Sequence, residues 1–296
     1  MQFTNFALQE HIPLRCFNTW RVGGPARWLV EVQDEADLRA ALAFAEKQRC
    51  PILPLGRGSN VLFDDAGYDG LVLVMRNQHI QQQGAEWTVG AGMGLPALSN
   101  LTVKAGYGGV EFGAGIPGSL GGAIFMNAGA SGQEIGEAIQ SVRVMLLDGQ
   151  LVEYSRADLP FEYRKSPFQS NPAVVMSACL KLTPRPEARQ KQREQLLKRV
   201  ASQPYDQPSA GCVFKNSSKG SAGALIEQAG LKGLRLGDAM VSPKHANFFV
   251  NCGQARATDI LRLISVVQQQ VLAQSQVPLQ LEVRVIRSTD GWCPWS

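Results

Sequence analysis

The feature that most constrains the fold of this chain is a glycine-rich, largely apolar stretch at residues 113–123, GAGIPGSLGGA. Glycine is unfavourable inside helices and strands, because it loses more backbone entropy on folding than any other residue. Its missing side chain does allow backbone N–H groups to approach a bulky anion such as a phosphate. A second stretch, PLGRGSN at residues 54–60, lies upstream. We expect the two stretches to form opposite walls of one dinucleotide site.

Two other interpretations of the longer stretch stay open at this point. Residues 113–118 match the GxGxxG pattern of Rossmann folds. That pattern requires a β-branched strand directly before it and a helix at its third glycine, whereas AGYGG precedes it here and Pro117 interrupts it. An ordinary glycine-rich surface loop is the second alternative. The apolar residues Ile116, Leu120 and Ile124 favour a buried segment instead.

Composition limits the classes of protein to consider. A chain of 296 residues predicts two or three domains. The net charge of +4 suits an anionic small molecule but is too diffuse for a nucleic-acid surface, so we expect no nucleic-acid partner. The six cysteines and three histidines lack metal-ligand spacing, and no metal is expected. Without a long apolar run or an apolar leader, we expect no membrane insertion, a cytoplasmic location and reduced thiols.

Hydrophobic periodicity and turn residues predict a mixed succession of strands and helices. Asp34 is a natural N-cap, and Asp148-Gly149 predicts a hairpin with a type I′ turn. The predicted strands are 26–32, 51–55, 70–75, 141–154 (as the hairpin), 174–182, 212–214, 247–250 and 281–286. The predicted helices are 34–48, 96–104, 187–203, 222–229 and 260–271. The polar helix at 187–203 indicates a domain boundary.

Seven segments, in this order, resemble one family of proteins. They are NTWRVGGPA, PLGRGSN, GIPGSLGGA, MNAGA, EYRKSPF, GCVFKN and LEVRVI, spread over about residues 17–287. The family is UDP-N-acetylenolpyruvoylglucosamine reductase, in its shorter subtype, which acts in bacterial peptidoglycan precursor synthesis. It belongs to the flavoproteins similar to vanillyl-alcohol oxidase, with the PCMH-type fold. Each segment alone is a weak signal, but their joint order is specific.

The resemblance implies an α+β fold with non-covalent FAD between two subdomains, followed by a smaller α+β substrate-binding domain. The expected ranges are 1–76 and 77–186 for the FAD-binding subdomains and 187–296 for the substrate domain. NADPH is the implied hydride donor, a UDP-sugar the substrate, and a monomer the expected state. The implied cofactor contacts are Pro54, Leu55, Gly56, Arg57, Gly58, Ser59, Asn60, Gly115, Ile116, Pro117, Gly118, Ser119, Gly121, Gly122, Ala123, Asn127 and Gly129.

Three residues match the family's catalytic positions. Reduction of an enol ether that carries a carboxylate requires a cation at the carboxylate and a placed acid. Arg164 matches the catalytic arginine, although most arginines are solvated surface residues. Glu282 matches the catalytic glutamate, although a charge also suits the outward face of an alternating strand. Cys212 occupies the position of the usual serine proton donor, so the donor is either its thiol or a water it holds. A small buried hydrophobe is the alternative role of Cys212.

Substrate contacts are implied at or beside matching segments: Tyr163, Lys215, Asn216, Gln228 and Asn247. His245 suits a structural role and a ligand role equally well. Ser217 replaces the proline that the family often has. Two rival functions remain, namely an FAD-dependent alcohol or sugar oxidase of the same fold, and a non-catalytic nucleotide-binding protein. The oxidase has no need of an acid at Cys212 or a carboxylate clamp at Arg164.

Overall fold

In the computed structural model, which describes residues 7–292, the first part of the chain forms a mixed four-stranded sheet. The strand order is β1–β2–β5–β3, with β1 antiparallel to β2 and the other pairs parallel. The elements are β1 (Gln9–Pro13), β2 (Pro25–Val32), α1 (Glu35–Gln48), β3 (Ile52–Leu55), β4 (Val61–Phe63) and β5 (Tyr68–Met75). The predicted strands at 26–32, 51–55 and 70–75 are confirmed, and β1 is an edge strand that the sequence did not predict.

Helix α1 begins where the sequence placed its N-cap. Asp34 Oδ1 accepts a hydrogen bond from Asp37 N at 3.0 Å. Leu38, Leu42 and Ala45 recur at helical spacing and are buried against the sheet. Since β3 and β5 run parallel, the carboxyl end of β3, and the glycine stretch after it, lie at one end of the sheet.

The second part of the chain forms a five-stranded antiparallel sheet in the order β12–β11–β13–β7–β6. Its strands and helices are β6 (Ile80–Gln83), β7 (Glu86–Gly90), α2 (Leu95–Lys104), β8 (Tyr107–Gly108), α3 (Leu120–Met126), β9 (Gly129–Ala130), β10 (Gln133–Glu134), α4 (Ile135–Ala138), β11 (Ile139–Leu146), β12 (Leu151–Ser155), β13 (Ala173–Lys181) and β14 (Thr183–Pro184). Short 3-10 helices lie at Leu14–Cys16, Glu111–Gly115, Arg156–Asp158 and Pro167–Gln169.

The hairpin of β11 and β12 is confirmed, but its predicted type I′ turn is wrong. A type I′ turn needs positive φ at both central residues. Of the two predicted central residues, only Gly149 has positive φ, at +84°, while Asp148 does not. Gly149 N donates to Leu146 O at 2.9 Å, and Leu146 N donates to Gln150 O at 2.8 Å. The connection is therefore one residue longer than the predicted turn, because it closes with a glycine bulge.

The central glycine stretch is more helical than its composition predicts. Glu111–Gly115 is a 3-10 helix with no strand directly before it, so the Rossmann alternative is wrong. Helix α3 includes Gly121 and Gly122 in its first turn, and Ser119 Oγ caps it by accepting from Gly122 N at 3.3 Å. A Cβ at Gly121 would lie only 2.9 Å from Ala91 Cβ. Close packing of α3 on residue 91, rather than helix propensity, explains glycine at this position.

The last part of the chain forms a smaller α+β unit around the antiparallel sheet β15–β18–β17–β16. It contains α5 (Ala188–Ser202), β15 (Ser209–Cys212), α6 (Ala222–Gln228), β16 (Arg235–Leu236), β17 (Ala239–Val241), β18 (Phe248–Asn251), α7 (Ala257–Ser275) and β19 (Arg284–Ile286). The α+β class is confirmed in all three parts of the chain. The predicted helices at 187–203, 222–229 and 260–271 are also confirmed, within a few residues at their ends.

Two predicted strands of this unit need correction. The strand predicted at 212–214 lies earlier in the chain, as β15 at Ser209–Cys212, and its register shifts between Ser209 and Cys212, where Gly211 has φ +74°. The strand predicted at 281–286 changes partner along its length. Leu281 forms a single bridge to Phe214, whereas β19 pairs in parallel with β4, from the first part of the chain, in a separate two-stranded sheet. The chain thus crosses from the last unit back to the first.

The hydrophobic clusters cross the predicted domain limits. Trp20, Val22 and Leu62 are buried in the cluster of the last unit, and Trp20 Nε1 donates to Phe249 O at 2.7 Å. The three predicted ranges therefore stay a prediction. Residues 1–6 and 293–296, including Cys293, lie outside the described residues. Within residues 7–292, no helix combines the length and apolarity that a membrane span requires.

A fully buried carboxylate attaches the last unit to the second. Glu111 accepts hydrogen bonds from Arg185 Nη1 at 2.9 Å and Gly109 N at 2.6 Å, and Lys191 Nζ lies 3.9 Å away. Burial alone would raise the pKa of Glu111, but the Gly109 N–H bond and the two cations hold it below its ordinary value. Because folding lowers its pKa, Glu111 stabilises the folded state at pH values above its ordinary pKa of 4.5. This stabilisation is lost as the pH falls through the lowered pKa.

We predict that Glu111→Gln lowers the free energy of unfolding by about 3 kcal/mol at pH 7, because two cations lose their buried counter-charge. Urea unfolding measures this difference, which should shrink below pH 4.5 as wild-type Glu111 becomes protonated. Glu187→Gln is the matched control, since Glu187 lies 3.7 Å from Arg185 Nε but is 65% exposed. An equal decrease in unfolding free energy in the two variants would contradict the stabilising role of the buried Glu111 carboxylate.

Candidate active site

The two glycine stretches lie against each other, between the first and second sheets. Gly56 directly follows β3, and a Cβ at this position would collide with Ser119 Oγ. Gly118 approaches Ser59 in the same region, where a Cβ would make an ordinary contact with Ser59 Oγ at 3.6 Å. Gly94 N-caps α2, and a Cβ there would lie 2.6 Å from Arg57 Nη2. The stretches therefore share one narrow region lined mainly by backbone.

The first stretch has the donors that a pyrophosphate requires. The backbone N–H groups of Arg57, Gly58 and Ser59 donate to no other described residue. Gly58 has φ +62°, and its carbonyl accepts from Thr19 N at 3.1 Å. Thr19 Oγ1 is buried beside it without a partner among the described residues. Unpartnered N–H groups, a buried hydroxyl and an adjacent Arg57 guanidinium fit the phosphates of FAD.

One side chain connects this stretch to a predicted catalytic residue. Asn60 Nδ2 donates to the carbonyl of Glu282 at 3.2 Å, and Asn60 O accepts from Arg284 N at 3.0 Å. The parallel pairing of β4 and β19 follows immediately. The backbone of Glu282 is thus fixed relative to the first glycine stretch, although Asn60 and Glu282 are 222 residues apart in sequence.

Arg164 and Glu282 form a short ion pair. Arg164 Nε donates to Glu282 Oε1 at 2.6 Å, and the side chains are only 17% and 13% exposed. Arg164 lies at the tip of a two-residue turn closed by Glu162 and Lys165, and it adopts φ +58°. Left-handed backbone is strained for arginine, and such strain is concentrated at functional sites. The turn is held near α3 by Gln169, whose Nε2 donates to Arg164 O at 3.1 Å.

Burial and charge oppose each other in this pair. Burial raises the pKa of Glu282, and the positive charges of Arg164 and Lys215 offset only part of the increase. Burial alone would lower the pKa of Arg164, but the charge and hydrogen bond of Glu282 raise it above its ordinary value. Each charge therefore offsets part of the cost of burying the other in this position.

Cys212 lies beside the ion pair. The bulge at Gly211 precedes it, and bulges commonly redirect side chains next to active sites. Burial and the negative charge of Glu282 raise the pKa of the Cys212 thiol to about 12, against lowering contributions from Arg164 and Arg199. At neutral pH the thiol is fully protonated, which is the state required of a proton donor.

The second stretch and its surroundings are held by several of the predicted cofactor residues themselves. Asn127 Nδ2 donates to Glu134 Oε2 at 2.6 Å and to Glu162 O at 2.9 Å, while its Oδ1 accepts from Gly136 N. Gly129 O accepts a long bond from Arg164 Nη2 at 3.4 Å. These contacts connect the end of α3 to the Arg164 turn. The remaining predicted cofactor positions lie in the two stretches described above.

The predicted substrate residues differ in their surroundings. Tyr163 is 44% exposed, and its ring lies 4.8 Å below the Arg164 guanidinium. Lys215 and Asn216 line a cavity of about 320 Å³, and Asn216 Oδ1 accepts from Ala222 N at 3.0 Å. Asn247 is buried and its amide binds both backbone polar groups of Phe214, at 2.9 and 2.8 Å. Gln228 is exposed at the end of α6.

His245 has a structural contact in this unit. Its Nδ1 accepts from Asn247 N at 3.3 Å, and its ring lies 4.7 Å from Phe248. Burial, with Lys232 and Arg199 nearby, lowers the pKa of His245, so the imidazole is neutral at pH 7.

The sequence interpretation missed Arg199 and Tyr205. Arg199 Nε donates to Tyr205 Oη at 3.2 Å, and that hydroxyl donates to Gly115 O at 2.6 Å. The end of α5 therefore covers Gly115, whose carbonyl is not free. Nothing in the local pattern of α5 signals this contact, because it joins residues about 90 positions apart. Within residues 7–292, no group of three or more His, Cys, Asp or Glu side chains could hold a metal ion.

Comparison with known proteins decides the family. Residues 203–286 match the C-terminal domain of UDP-N-acetylenolpyruvoylglucosamine reductase, and residues 26–155 match an FAD-binding domain. The reductase of Protochlamydia amoebophila is 44% identical over 94% of this chain and 93% of that protein. The reductase of Chlamydia felis is 40% identical over 95% of both. The chain belongs to the UDP-N-acetylenolpyruvoylglucosamine reductase family.

The fold agrees with this assignment. The crystal structure of the reductase from Thermus caldophilus superposes with a TM-score of 0.82 at 40% identity, covering 94% of this chain and 99% of that one. The predicted two-part FAD-binding fold with a following α+β domain is confirmed. The protein is an FAD-binding oxidoreductase of this family, and the resemblance found in the sequence was correct.

We predict that Gly56→Ala raises the dissociation constant for FAD by at least about tenfold, because the new methyl group forces the two stretches apart. Titration of the apoprotein with FAD, followed by flavin fluorescence, measures the constant. Gly223→Ala is the control, since its Cβ would meet His245 Cε1 at an ordinary 3.5 Å. Unchanged FAD affinity in Gly56→Ala would contradict the proposed position of the cofactor.

We also predict that Cys212 resists alkylation by iodoacetamide at pH 8, whereas the exposed Cys16 reacts. Glu282→Gln removes the negative charge that raises the pKa of the thiol and should increase labelling of Cys212 about tenfold, the effect of one pKa unit. Mass spectrometry of the labelled peptides measures both rates. The exposed Glu162→Gln change is the control, and slower labelling in Glu282→Gln would contradict the predicted electrostatics.

Proposed function

We propose that this protein reduces the enolpyruvyl ether of UDP-N-acetylglucosamine enolpyruvate to UDP-N-acetylmuramate, with NADPH as the hydride donor, in peptidoglycan precursor synthesis. The observation that carries the proposal is the juxtaposition of the buried Arg164–Glu282 pair, the protonated thiol of Cys212 and the cofactor stretch attached through Asn60. Membership of the reductase family supports the same reaction.

Arg164 is the proposed binding group for the substrate carboxylate. Its Nε is held by Glu282, and within the described residues one terminal nitrogen makes a single long contact, 3.4 Å to Gly129 O. The terminal nitrogens are therefore available to a second carboxylate, and a guanidinium is suited to bind one at two points. Bound FAD would supply hydride chemistry at the double bond, with NADPH as the source of the hydride. Negative charge then develops on the substrate carboxylate, where Arg164 stabilises it.

Cys212 is the proposed source of the proton. After hydride addition, the carbon next to the carboxylate must receive a proton, either from the Cys212 thiol or from a water that the thiol holds. The thiolate formed by direct transfer is stabilised by Arg164 and Arg199 and regains a proton from solvent. Glu282 keeps Arg164 in place, and its charge adds to the effect of burial in raising the pKa of the Cys212 thiol.

The sugar nucleotide is proposed to extend into the last unit. The cavity of about 320 Å³ between residues 215–222 and 277–280 is lined by Lys215 and Lys219. Two ammonium groups beside serine hydroxyls suit the phosphates of a UDP-sugar. Tyr163, Asn216, Gln228 and Asn247 remain proposed contacts, and Asn247 would act by holding the Phe214 backbone. A cytoplasmic monomer remains the proposed state.

Anaerobic visible spectroscopy of the holoprotein tests the reaction. NADPH should bleach the flavin band, and UDP-N-acetylglucosamine enolpyruvate should then restore it. A band that only oxygen restores would support the oxidase instead. A holoprotein that NADPH does not reduce would support the non-catalytic nucleotide-binding protein.

Variants of Cys212 test the proton donor within the same experiment. Cys212→Ala should be reduced by NADPH at the wild-type rate, but the return of the band with the sugar nucleotide should slow by about 10²–10⁴-fold, the usual contribution of a placed acid. Cys212→Ser retains a hydroxyl donor and should restore most of the rate. Wild-type turnover in Cys212→Ala would remove Cys212 from the mechanism.

A further inference from the structure

A short segment beyond the residues matched by the family domains returns to the first sheet. We call residues 288–292 the C-terminal strap. Asp69 N donates to Ser288 O at 2.7 Å, and Ile52 and Trp292 exchange two backbone hydrogen bonds at 3.0 and 3.1 Å. The strap thus bonds to the beginning of β5 and to the first residue of β3, the strand that leads directly into the first glycine stretch.

The path of the strap requires glycine at one position. Gly291 has φ +127°, and a Cβ there would collide with the hydroxyl of Tyr68 and lie 2.9 Å from Ile52 O. Such close approach of two backbones shows a fitted contact rather than a loose chain end. It also fixes the direction of the following residue, Trp292, whose side chain is partly buried against the core of the first sheet.

The ring of Trp292 contacts the helix that carries the second glycine stretch. Its centroid lies 6.5 Å from that of Phe125, at an interplanar angle of 52°. Phe125 is near the end of α3, and its ring also lies 4.9 Å from the Arg284 guanidinium. Its carbonyl accepts from Ser166 Oγ at 2.7 Å and Gln169 Nε2 at 2.8 Å. Phe125 is therefore a point where the strap, β19 and the Arg164 turn meet.

We propose that the C-terminal strap positions the two glycine stretches for FAD, and that Trp292 is the positioning residue. The strap holds β3 through its backbone and α3 through the indole, so it fixes the distance between the strand before Gly56 and the helix after Ser119. That distance is already short, because a Cβ at Gly56 would collide with Ser119 Oγ. Backbone donors lose strength steeply when misaligned, so a small separation of the stretches weakens FAD binding.

Substitutions that change the ring of Trp292 but keep its backbone hydrogen bonds test the proposal. Trp292→Ala keeps the backbone bonds to Ile52 and should raise the dissociation constant for FAD about tenfold, within the range expected of a lost aromatic pair. Trp292→Phe retains an aromatic ring and should restore the constant to within about threefold of wild type. Titration of the apoprotein with FAD by flavin fluorescence gives all three values.

Phe44→Ala is the matched control, because Phe44 lies on α1 and packs on the same core cluster through Trp28, with the two ring centroids 5.3 Å apart. Both alanine variants should lower the melting temperature of the apoprotein, while only Trp292→Ala weakens FAD binding. Unchanged FAD affinity in Trp292→Ala would overturn the proposal. Equal weakening in the two variants would also overturn it, since general destabilisation would then explain the loss.

The wild-type protein offers an independent measurement. If the strap favours FAD binding, FAD must stabilise the strap by the same free energy, since coupling between sites is reciprocal. Hydrogen exchange at residues 52 and 292 should therefore slow by about tenfold when FAD is added. Slowing at residues 56–60 without any at residue 292 would overturn the proposal. Neither test uses NADPH or the sugar nucleotide, so its outcome is separate from that of the proposed reaction.

Discussion

The candidate site depends on one buried ion pair, Arg164–Glu282, whose partners come from distant parts of the chain. Neither charge is favourable alone in this position, because burial disfavours the ionised form of each. The pair can form only if the Arg164 turn is held against α3 and Glu282 against Asn60. The ion pair therefore forms only when all three parts of the chain are correctly assembled.

Close backbone contact is the second constraint, and it explains the glycines better than flexibility does. Gly56 and Gly121 are needed because neighbouring elements approach too closely for a methyl group. The same closeness exposes backbone N–H groups to a ligand instead of side chains. Rigidity and phosphate binding are thus two consequences of one packing arrangement, and the C-terminal strap preserves it from outside the stretches.

Local patterns predicted most elements of the fold. The N-cap at Asp34 and the spacing of Leu38 and Leu42 fixed α1, because helix ends and buried faces depend on nearby residues. The turn after Leu146 was predicted as a hairpin but with the wrong geometry, since Asp148-Gly149 also suits a longer glycine-bulge connection. The strand ending at Cys212 was placed too late, because a bulge depends on the partner strand.

The sequence by itself determined the α+β class, the family, the two glycine stretches and the residue types of the site, since these are properties of local composition and motif order. Only the tertiary structure decided that Glu282 binds Arg164, that β19 returns to β4, and that Tyr205 covers Gly115. These contacts join residues between about 90 and 220 positions apart. Their partners are selected by the shape and charge of the folded surface, which no local pattern specifies.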